Sequence, residues 1–342
     1  MPEIKNKYRI ALDAMGGDFA PMNEIEGTLM ALNNKVRDID FEVILVGKSD
    51  MIESSLRKIG KSHHSISIVN ADEIITMHDD PTAPLKTKKN SSISIGIGLI
   101  RENKAEAFVS AGNTGAVMST GTVMLGRIPG VSRPTIGTFF PGKQNPVLIL
   151  DVGANVDCKP NFLRDFAIMG DIYFKNILKV KSPKIGLLNI GEEETKGNEL
   201  LLETYSLLKK SNINFIGNVE GGDVLQGIAD VVICDGYTGN VLLKFAESVL
   251  TVLKTKFRDY AETGLVNKLK VGIFRPLLKE VLSDFDYQKY GGVPLLGVNG
   301  VVIIGHGKSS PLAIQNMIFK AAEQCESEIN NKIGDALNVN NM

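Results

Sequence analysis

Residues 10–21 read IALDAMGGDFAP: an apolar run closing on Asp13, two adjacent glycines, Asp18 directly after them, and a proline at 21 placed to open a helix. An apolar strand that breaks into bare backbone and then enters a helix is the first step of an alternating β-α chain, and the glycines let another group approach that backbone closely. The same grammar repeats downstream. Short β-rich runs at Tyr8–Leu12, Phe41–Val46, Ile66–Val69, Ala107–Val109, Thr135–Phe140, Val147–Leu150, Lys184–Leu188, Asn214–Ile216, Val231–Cys234 and Val301–Ile304 alternate with helical segments. The helices are expected at Pro21–Asn33, Ser49–Ile59, Ser91–Asn103, Gly115–Leu125, Pro160–Leu178, Gly197–Lys210, Gly239–Tyr260 and Ser309–Asn330, with Pro160 in a first turn and Ser49 and Ser309 as N-caps. Several β runs are apolar throughout, the pattern of strands covered on both faces, so a largely parallel sheet between helix layers follows. No Pro/Gly/Ser-rich linker divides the chain. Residues 1–342 read as one domain with a helical excursion at 254–290.

Composition narrows the function classes. The chain has 342 residues, 43% hydrophobic and 23% charged, enough to bury a large core and too mixed for disorder. A net charge of −1 gives no reason to expect nucleic acid as a partner. The three cysteines, Cys158, Cys234 and Cys325, are far apart and fit a reducing compartment. The first ten residues, MPEIKNKYRI, hold no apolar signal region, and no stretch reaches the ~18 apolar residues of a membrane span. The expected location is the cytoplasm.

The loops after the strands carry the chemistry. LDAMGGD (12–18), SAGNTGA (110–116), LDVGANVD (150–157), NIGEEETKGN (189–198), CDGYTGN (234–240) and IGHGKSS (304–310) each run from a strand end towards a helix. In open α/β sheets ligands bind at that edge, where helix N-terminal amides favour anions. Six such loops predict a composite anion site. Gly112–Gly115 and Gly236–Gly239 share the pattern G-x-T-G, which hints at a duplication without establishing one.

Other motifs fail. VVIIGHGKSS is not a nucleotide P-loop, because the glycine needed five positions before Gly307 is Val302. IGIGLIR has Arg101 in place of the third glycine of a dinucleotide fingerprint. The adjacent His63 and His64 read as a solvated loop, His78 joins no ligand pattern, and Glu192–Glu194 read as surface acids at a helix start, so no metal is required. Cys158 has no evident base beside it and reads as packing.

Taken as a set, DAMGGDFAP, KKNSS, SAGNTGA, LDVGANVDCKP, FAIMG, GLLNIGEEETKGNEL, NFIGNVEG, CDGYTGN and YGG resemble, in order and spacing, the phosphate acyltransferases of bacterial phospholipid synthesis, the PlsX family. The resemblance runs from Ile10 to the last helix and is weakest at the termini and after Tyr260. It implies transfer of a long-chain acyl group from acyl carrier protein to inorganic phosphate without a cofactor. It also implies a homodimer and a three-layer αβα fold like that of phosphotransacetylases and isocitrate and isopropylmalate dehydrogenases. A downstream glycerol-phosphate acyltransferase is a further implied partner; nucleic acid is not.

Phosphate attack on a thioester needs a held anion and support for a negatively charged intermediate. Ser110, Asn113, Thr114 and Gly115 are the leading candidates for the phosphate cradle, with Gly16, Gly17 and Gly239 permitting close approach. Lys196 and Asn240 are candidates for stabilising phosphate and oxyanion, and His306 for protonating the leaving thiolate. Asp13, Asp18, Asp151 and Asp235 are expected to brace loops, since bare carboxylates repel phosphate. Residues 254–279 carry seven basic and two acidic residues among Leu265, Val266, Leu269, Val271, Ile273, Phe274, Leu277 and Leu278. Such a basic amphipathic hairpin fits an anionic membrane surface, an acidic carrier protein or a dimer interface. PLKTKK (84–89) is a second basic run. Three rival readings stand beside this one: a transacetylase using coenzyme A thioesters, a non-catalytic scaffold, and a dehydrogenase of the related fold.

Overall fold

The apolar run at residues 8–13 forms strand β1 (Tyr8–Asp13), and its side chains explain why it does not alternate. Ile10 and Leu12 enter the core on one face of the sheet, while Ala11 enters a second core on the other. The last parallel strand of this half, β11 (Val301–Ile304), divides the same way, Val301 and Ile303 to one side and Val302 and Ile304 to the other. The computed structural model describes residues 7–34, 39–60, 63–143, 145–281 and 291–340.

The remaining strands are β2 (Phe41–Gly47), β3 (Ile66–Asn70), β4 (Ala107–Ser110), β5 (Thr135–Phe140), β6 (Val147–Leu150), β7 (Ile185–Leu188), β8 (Phe215–Val219), β9 (Val231–Ile233) and β10 (Val293–Leu296). They form one 11-stranded sheet in the order β3-β2-β1-β4-β11-β10-β5-β6-β9-β7-β8. All ten expected runs are strands, with ends moved by a few residues. The strand that the sequence does not announce is β10, four residues containing Pro294, whose missing N–H speaks against a ladder position.

The sheet changes direction just beyond it, at the β5–β6 pair, because β10 lies antiparallel between two strands, β11 and β5, that run the same way. β10 is antiparallel to both β11 and β5, and β5 is antiparallel to β6, while the other ladders are parallel. Strands β6, β9, β7 and β8 therefore run opposite to β1, β2, β3, β4 and β11. The carboxyl ends of the two halves open on opposite edges of the sheet.

Helices cover both faces. α1 (Met22–Asn33), α6 (Pro160–Asn176), α11 (Pro311–Glu326) and α12 (Ile329–Asn340) contribute to the larger core, and α4 (Ser92–Arg101) and α5 (Thr114–Leu125) to the second. α2 (Ser49–Ile59), α7 (Glu199–Lys210) and the short α3 (Ala83–Lys86) and α8 (Gly221–Gln226) complete the layers. Pro160 opens α6 as read. Two caps differ. Lys48, not Ser49, precedes α2, and Ser310, not Ser309, caps α11 by accepting from the Ala313 N–H, because the Ser309 hydroxyl is turned back to the His306 carbonyl. The long terminal helix is two helices, interrupted at Glu328, which adopts a positive φ of 50°.

The excursion is built from α9 (Gly236–Glu262) and α10 (Leu265–Val281); residues 282–290 lie outside the described residues. Among the described residues, α10 makes its substantial contacts with α9. Phe245, Val252, Leu265, Leu269, Ile273 and Phe274 remain exposed along the hairpin.

The second core depends on close contact between α4 and β4. A Cβ at Gly96 would lie 2.3 Å from the ring of Phe108, which is fully buried. Gly96→Ala is expected to destabilise the fold by about 1–3 kcal/mol through overpacking, read as a lower urea midpoint. Adding Phe108→Leu should recover part of that loss, and strictly additive effects would contradict the contact.

Candidate active site

At the first edge, β1 ends on Asp13, which is 1% exposed. Its carboxylate accepts from the Ser110 hydroxyl at 2.7 Å and the Met15 N–H at 3.1 Å. Burial nevertheless raises its pKa above the usual carboxylate range. A Cβ at Gly16 would fall 2.1 Å from Asp13 Oδ2, so the loop can fold over that carboxylate only as glycine. Asp18 donates its N–H to the Gly307 carbonyl at 2.8 Å, tying this loop to the one that carries His306. His306 is exposed, and its Nδ1 accepts from the Lys308 N–H at 3.1 Å.

The cradle residues of this edge are already engaged. Ser110 is fully buried against Asp13. Asn113 caps α5 by accepting from the Ala116 N–H, and its amide donates to the carbonyls of Thr76 and Asp79. Thr114 is exposed, whereas Gly115 lies against Pro81. What this edge still offers an anion are the Thr114 and Gly115 N–H groups at the start of α5, ahead of the capped Ala116 N–H.

The second edge is organised by Asp151, fully buried at the end of β6. Oδ1 accepts from the N–H groups of Gly153 and Ala154 at 3.1 and 3.0 Å, and Oδ2 from the N–H and side-chain amide of Asn155 at 2.8 and 2.7 Å. Desolvation still raises its pKa, against those donors. α9 begins against this loop: the Gly236 N–H donates to the Asn155 carbonyl at 2.7 Å, and a Cβ at Gly239 would fall 1.9 Å from the Asp151 carbonyl oxygen. Asp235 caps α9, accepting from the N–H and hydroxyl of Thr238. Asn240, one turn in, is exposed, with its Cβ 3.6 Å from the position a Cβ would take on Gly153.

Lys196 belongs to the same edge, on the loop after β7, the neighbour of β9. Its carbonyl accepts from the Asn189 amide and its N–H donates to the Glu193 carbonyl, so the backbone is pinned while the side chain is exposed. Glu194 in that loop is held by Lys209 and Tyr205, away from any metal-like cluster. The Cys158 thiol donates to the Asn155 carbonyl, and burial pushes its pKa up to about 12, far from a nucleophile's range.

The six loops thus make two groups. Lys196, Asn240, Gly239, Asp151 and Asp235 gather at one edge; Asp13, Gly16, Gly17, Asp18, Ser110, Asn113, Thr114, Gly115 and His306 gather at the other. Four strand spacings separate β11 from β9, roughly 19 Å across the sheet. The reversal between β5 and β6 divides the loops, expected to share one edge, into these two groups. α5 spans the two, its N-terminus at the first edge and its far end, about 18 Å away, near the second. There a cleft of about 600 Å³ is lined by Thr122, Arg127, Ser132, Arg133, Asn161 and Phe162, among others. Its wall residue Pro134 accepts from the Asn155 amide at 2.8 Å, which fixes the cleft to the Asp151 loop.

The sequence reading passed over Arg127 and Arg133, although GRIPGVSRP (126–134) places two arginines in one Gly/Pro-bounded loop. It also passed over Asn155, which only the fold reveals as the joint between loop, cleft and α9. Glu24 was hidden inside a helix. It is 1% exposed, its Oε2 has no hydrogen-bond partner among the described residues, and its Oε1 lies 2.3 Å from where a Cβ on Gly17 would stand.

A family profile described as "Fatty acid synthesis protein" matches residues 8–332. A phosphate acyltransferase from Dictyoglomus turgidum is 47% identical over 332 residues, covering 96% of this chain and 98% of its own. The chain belongs to the phosphate acyltransferase family. It is an enzyme, an acyltransferase. Among solved structures, a phosphotransacetylase from Streptococcus pyogenes superposes with a TM-score of 0.63 at 16% identity, covering 94% of each chain. The EutD phosphotransacetylase from Staphylococcus aureus gives 0.60 at 17%, covering 94% of this chain and 95% of its own. The fold is that of the phosphotransacetylases.

Two outcomes test this geometry. Desolvation, with a smaller contribution from the nearby Asp13 charge, lifts the Glu24 carboxyl from 4.5 to about 8. The folded state keeps the proton up to that pH, whereas the unfolded chain releases it near 4.5, so stability falls as pH rises through this window. Glu24→Gln is therefore expected to gain on the parent between pH 5 and 8, by on the order of a few kcal/mol; a stability difference that stays flat with pH would contradict the assignment. Gly239→Ala should push α9 off the Asp151 carbonyl and lower the melting temperature, whereas Gly221→Ala, where a Cβ meets nothing within 4 Å, should not.

Proposed function

We propose that this acyltransferase moves a long-chain acyl group from acyl carrier protein to inorganic phosphate, giving acyl phosphate and free carrier for phospholipid synthesis. The observation that carries the reading is the near full-length match to phosphate acyltransferases on a phosphotransacetylase fold. In the proposed step a phosphate oxygen attacks the thioester carbonyl, the C–O bond forms, the tetrahedral oxyanion collapses, and the C–S bond breaks to release the thiolate, which takes a proton from solvent or a nearby donor. Lys196 and Asn240 supply the positive charge and the amide donor for phosphate and oxyanion, and the braced Asp151 loop holds Asn240 in place. His306, with the first-edge residues Ser110, Asn113, Thr114 and Gly115, stands at the strand ends of the other half and is given no step here. A thiolate of pKa near 8.5 leaves without a dedicated acid.

Thiol release from palmitoyl-acyl carrier protein, with and without inorganic phosphate and with hydroxylamine to trap acyl phosphate, tests the reaction. Phosphate-dependent release with trappable product is expected; release without phosphate would make the protein a thioesterase. Lys196→Ala and Asn240→Ala should each lower kcat by roughly 10- to 1000-fold with melting temperature unchanged, and unaltered kcat would remove them from the mechanism. The phosphotransacetylase fold favours a second reading, acyl-coenzyme A as donor. Release from that donor and none from the carrier would establish it.

The α9–α10 hairpin supports peripheral contact with an anionic membrane, or pairing of two chains. Its exposed Phe245, Val252, Leu269, Ile273 and Phe274 lie among Lys254, Lys256, Lys268 and Lys270, while no helix among the described residues is long and apolar enough to cross a membrane. Lys268→Glu combined with Lys270→Glu is expected to reduce sedimentation with anionic vesicles and leave turnover of soluble substrate intact; unchanged sedimentation would count against the membrane contact.

A further inference from the structure

The cleft at the far end of α5 is lined by donors. Arg127 is anchored by donating through Nη1 to the Ser132 carbonyl, and Arg133 lies 5.7 Å over the ring of Phe162. Both anchors orient a guanidinium without neutralising it: among the described residues, no carboxylate pairs with either arginine. Asp165, which reaches this loop, is taken up by Arg164 at 2.9 Å and by the Ser132 N–H at 3.0 Å. Ser132 Oγ accepts from the Asn161 amide at 3.0 Å, which leaves its own hydroxyl proton to donate. Thr122 adds another hydroxyl from α5, and Asn161 lies in the first turn of α6, where the Phe162 and Leu163 N–H groups already donate to the Lys159 carbonyl.

We infer that this cleft binds a phosphate group through Arg127 and Arg133. Two planar guanidiniums and the hydroxyls of Thr122 and Ser132 lining one cleft match the charge and donor needs of a phosphate, which accepts bidentate bonds from arginine. At about 600 Å³ the cleft exceeds a lone phosphate and leaves room for an organic stem against the Phe162 ring. Through Pro134 and Asn155 it joins the Asp151 loop, on which Asn240 rests, so a phosphate held here lies beside the proposed reacting edge. The group has two possible sources, inorganic phosphate and the phosphate on the stem of a phosphopantetheine thioester. The source depends on the proposed acyl transfer, whereas binding itself does not.

Calorimetric titration of the full chain with inorganic phosphate and, separately, with 4′-phosphopantetheine tests the site without turnover. One of the two is expected to bind, and Arg133→Ala and Arg127→Ala should each weaken it by about tenfold or more, with Arg133→Lys intermediate. Unchanged melting temperatures would show that the variants fold. In kinetics, a rise in KM for phosphate alone would assign the group to inorganic phosphate, and a rise in KM for the thioester alone would assign it to the stem. Affinity for both probes unchanged in the two alanine variants would overturn the site, even if acyl transfer itself is found. Loss of binding in a chain that fails to turn over would leave the site standing and defeat the transfer reading instead.

Discussion

The buried carboxylate of Asp151 is the constraint on which the reacting edge depends. A fully buried carboxylate is costly unless donors surround it, and here the backbone of residues 153–155 and the Asn155 amide fold around it to supply them. That wrapping shapes the loop. Asn155 then uses its carbonyl to receive the start of α9 and its amide to hold Pro134 at the wall of the arginine cleft. One charge thus positions three elements. Because α9 must pass against the Asp151 carbonyl, position 239 has no room for a side chain, and Asn240 is delivered to the loop as a consequence.

A comparable device operates at the other edge, where Asp13 gathers Ser110 and the turn around Gly16. The two differ in what remains free. At the Asp13 edge, Ser110 and Asn113 bond to the protein itself, whereas at the Asp151 edge Asn240, Lys196 and the arginines of the cleft face outward. The neutral form of Glu24 beneath Gly17 adds to the closed character of the first edge, since a second carboxylate ionised beside Asp13 would repel it.

Much of the architecture was legible in the sequence because burial on both faces writes several strands as unbroken apolar runs, and each of the ten β-rich runs is a strand. The reversal was not legible. β10 is four residues long with a proline inside it, and the seating of the β5–β6 pair against it, which turns β6, β9, β7 and β8 against the first half, depends on a partner far away in sequence. Without it the six loops appear to share an edge. Glycine-rich loops identify where a backbone must come close to something, but they do not say whether that something is a ligand or the protein's own carboxylate. For Gly16 and Gly239 it is the protein, Asp13 in one case and the Asp151 carbonyl in the other. The arginines were missed for the opposite reason. They sit in a loop that follows a helix rather than a strand, and their convergence on Phe162 and Asn161 depends on how α6 packs.

In the proposed reaction phosphate attacks the thioester directly, and no acyl group rests on the protein. Rapid quenching of the enzyme with a radiolabelled acyl-carrier thioester in the absence of phosphate, followed by intact-mass measurement, tests it most directly. Direct attack gives no burst of thiol and an unmodified protein mass until phosphate is added. A stoichiometric burst with one acyl group bound covalently per chain, at Cys158 or elsewhere, would contradict it.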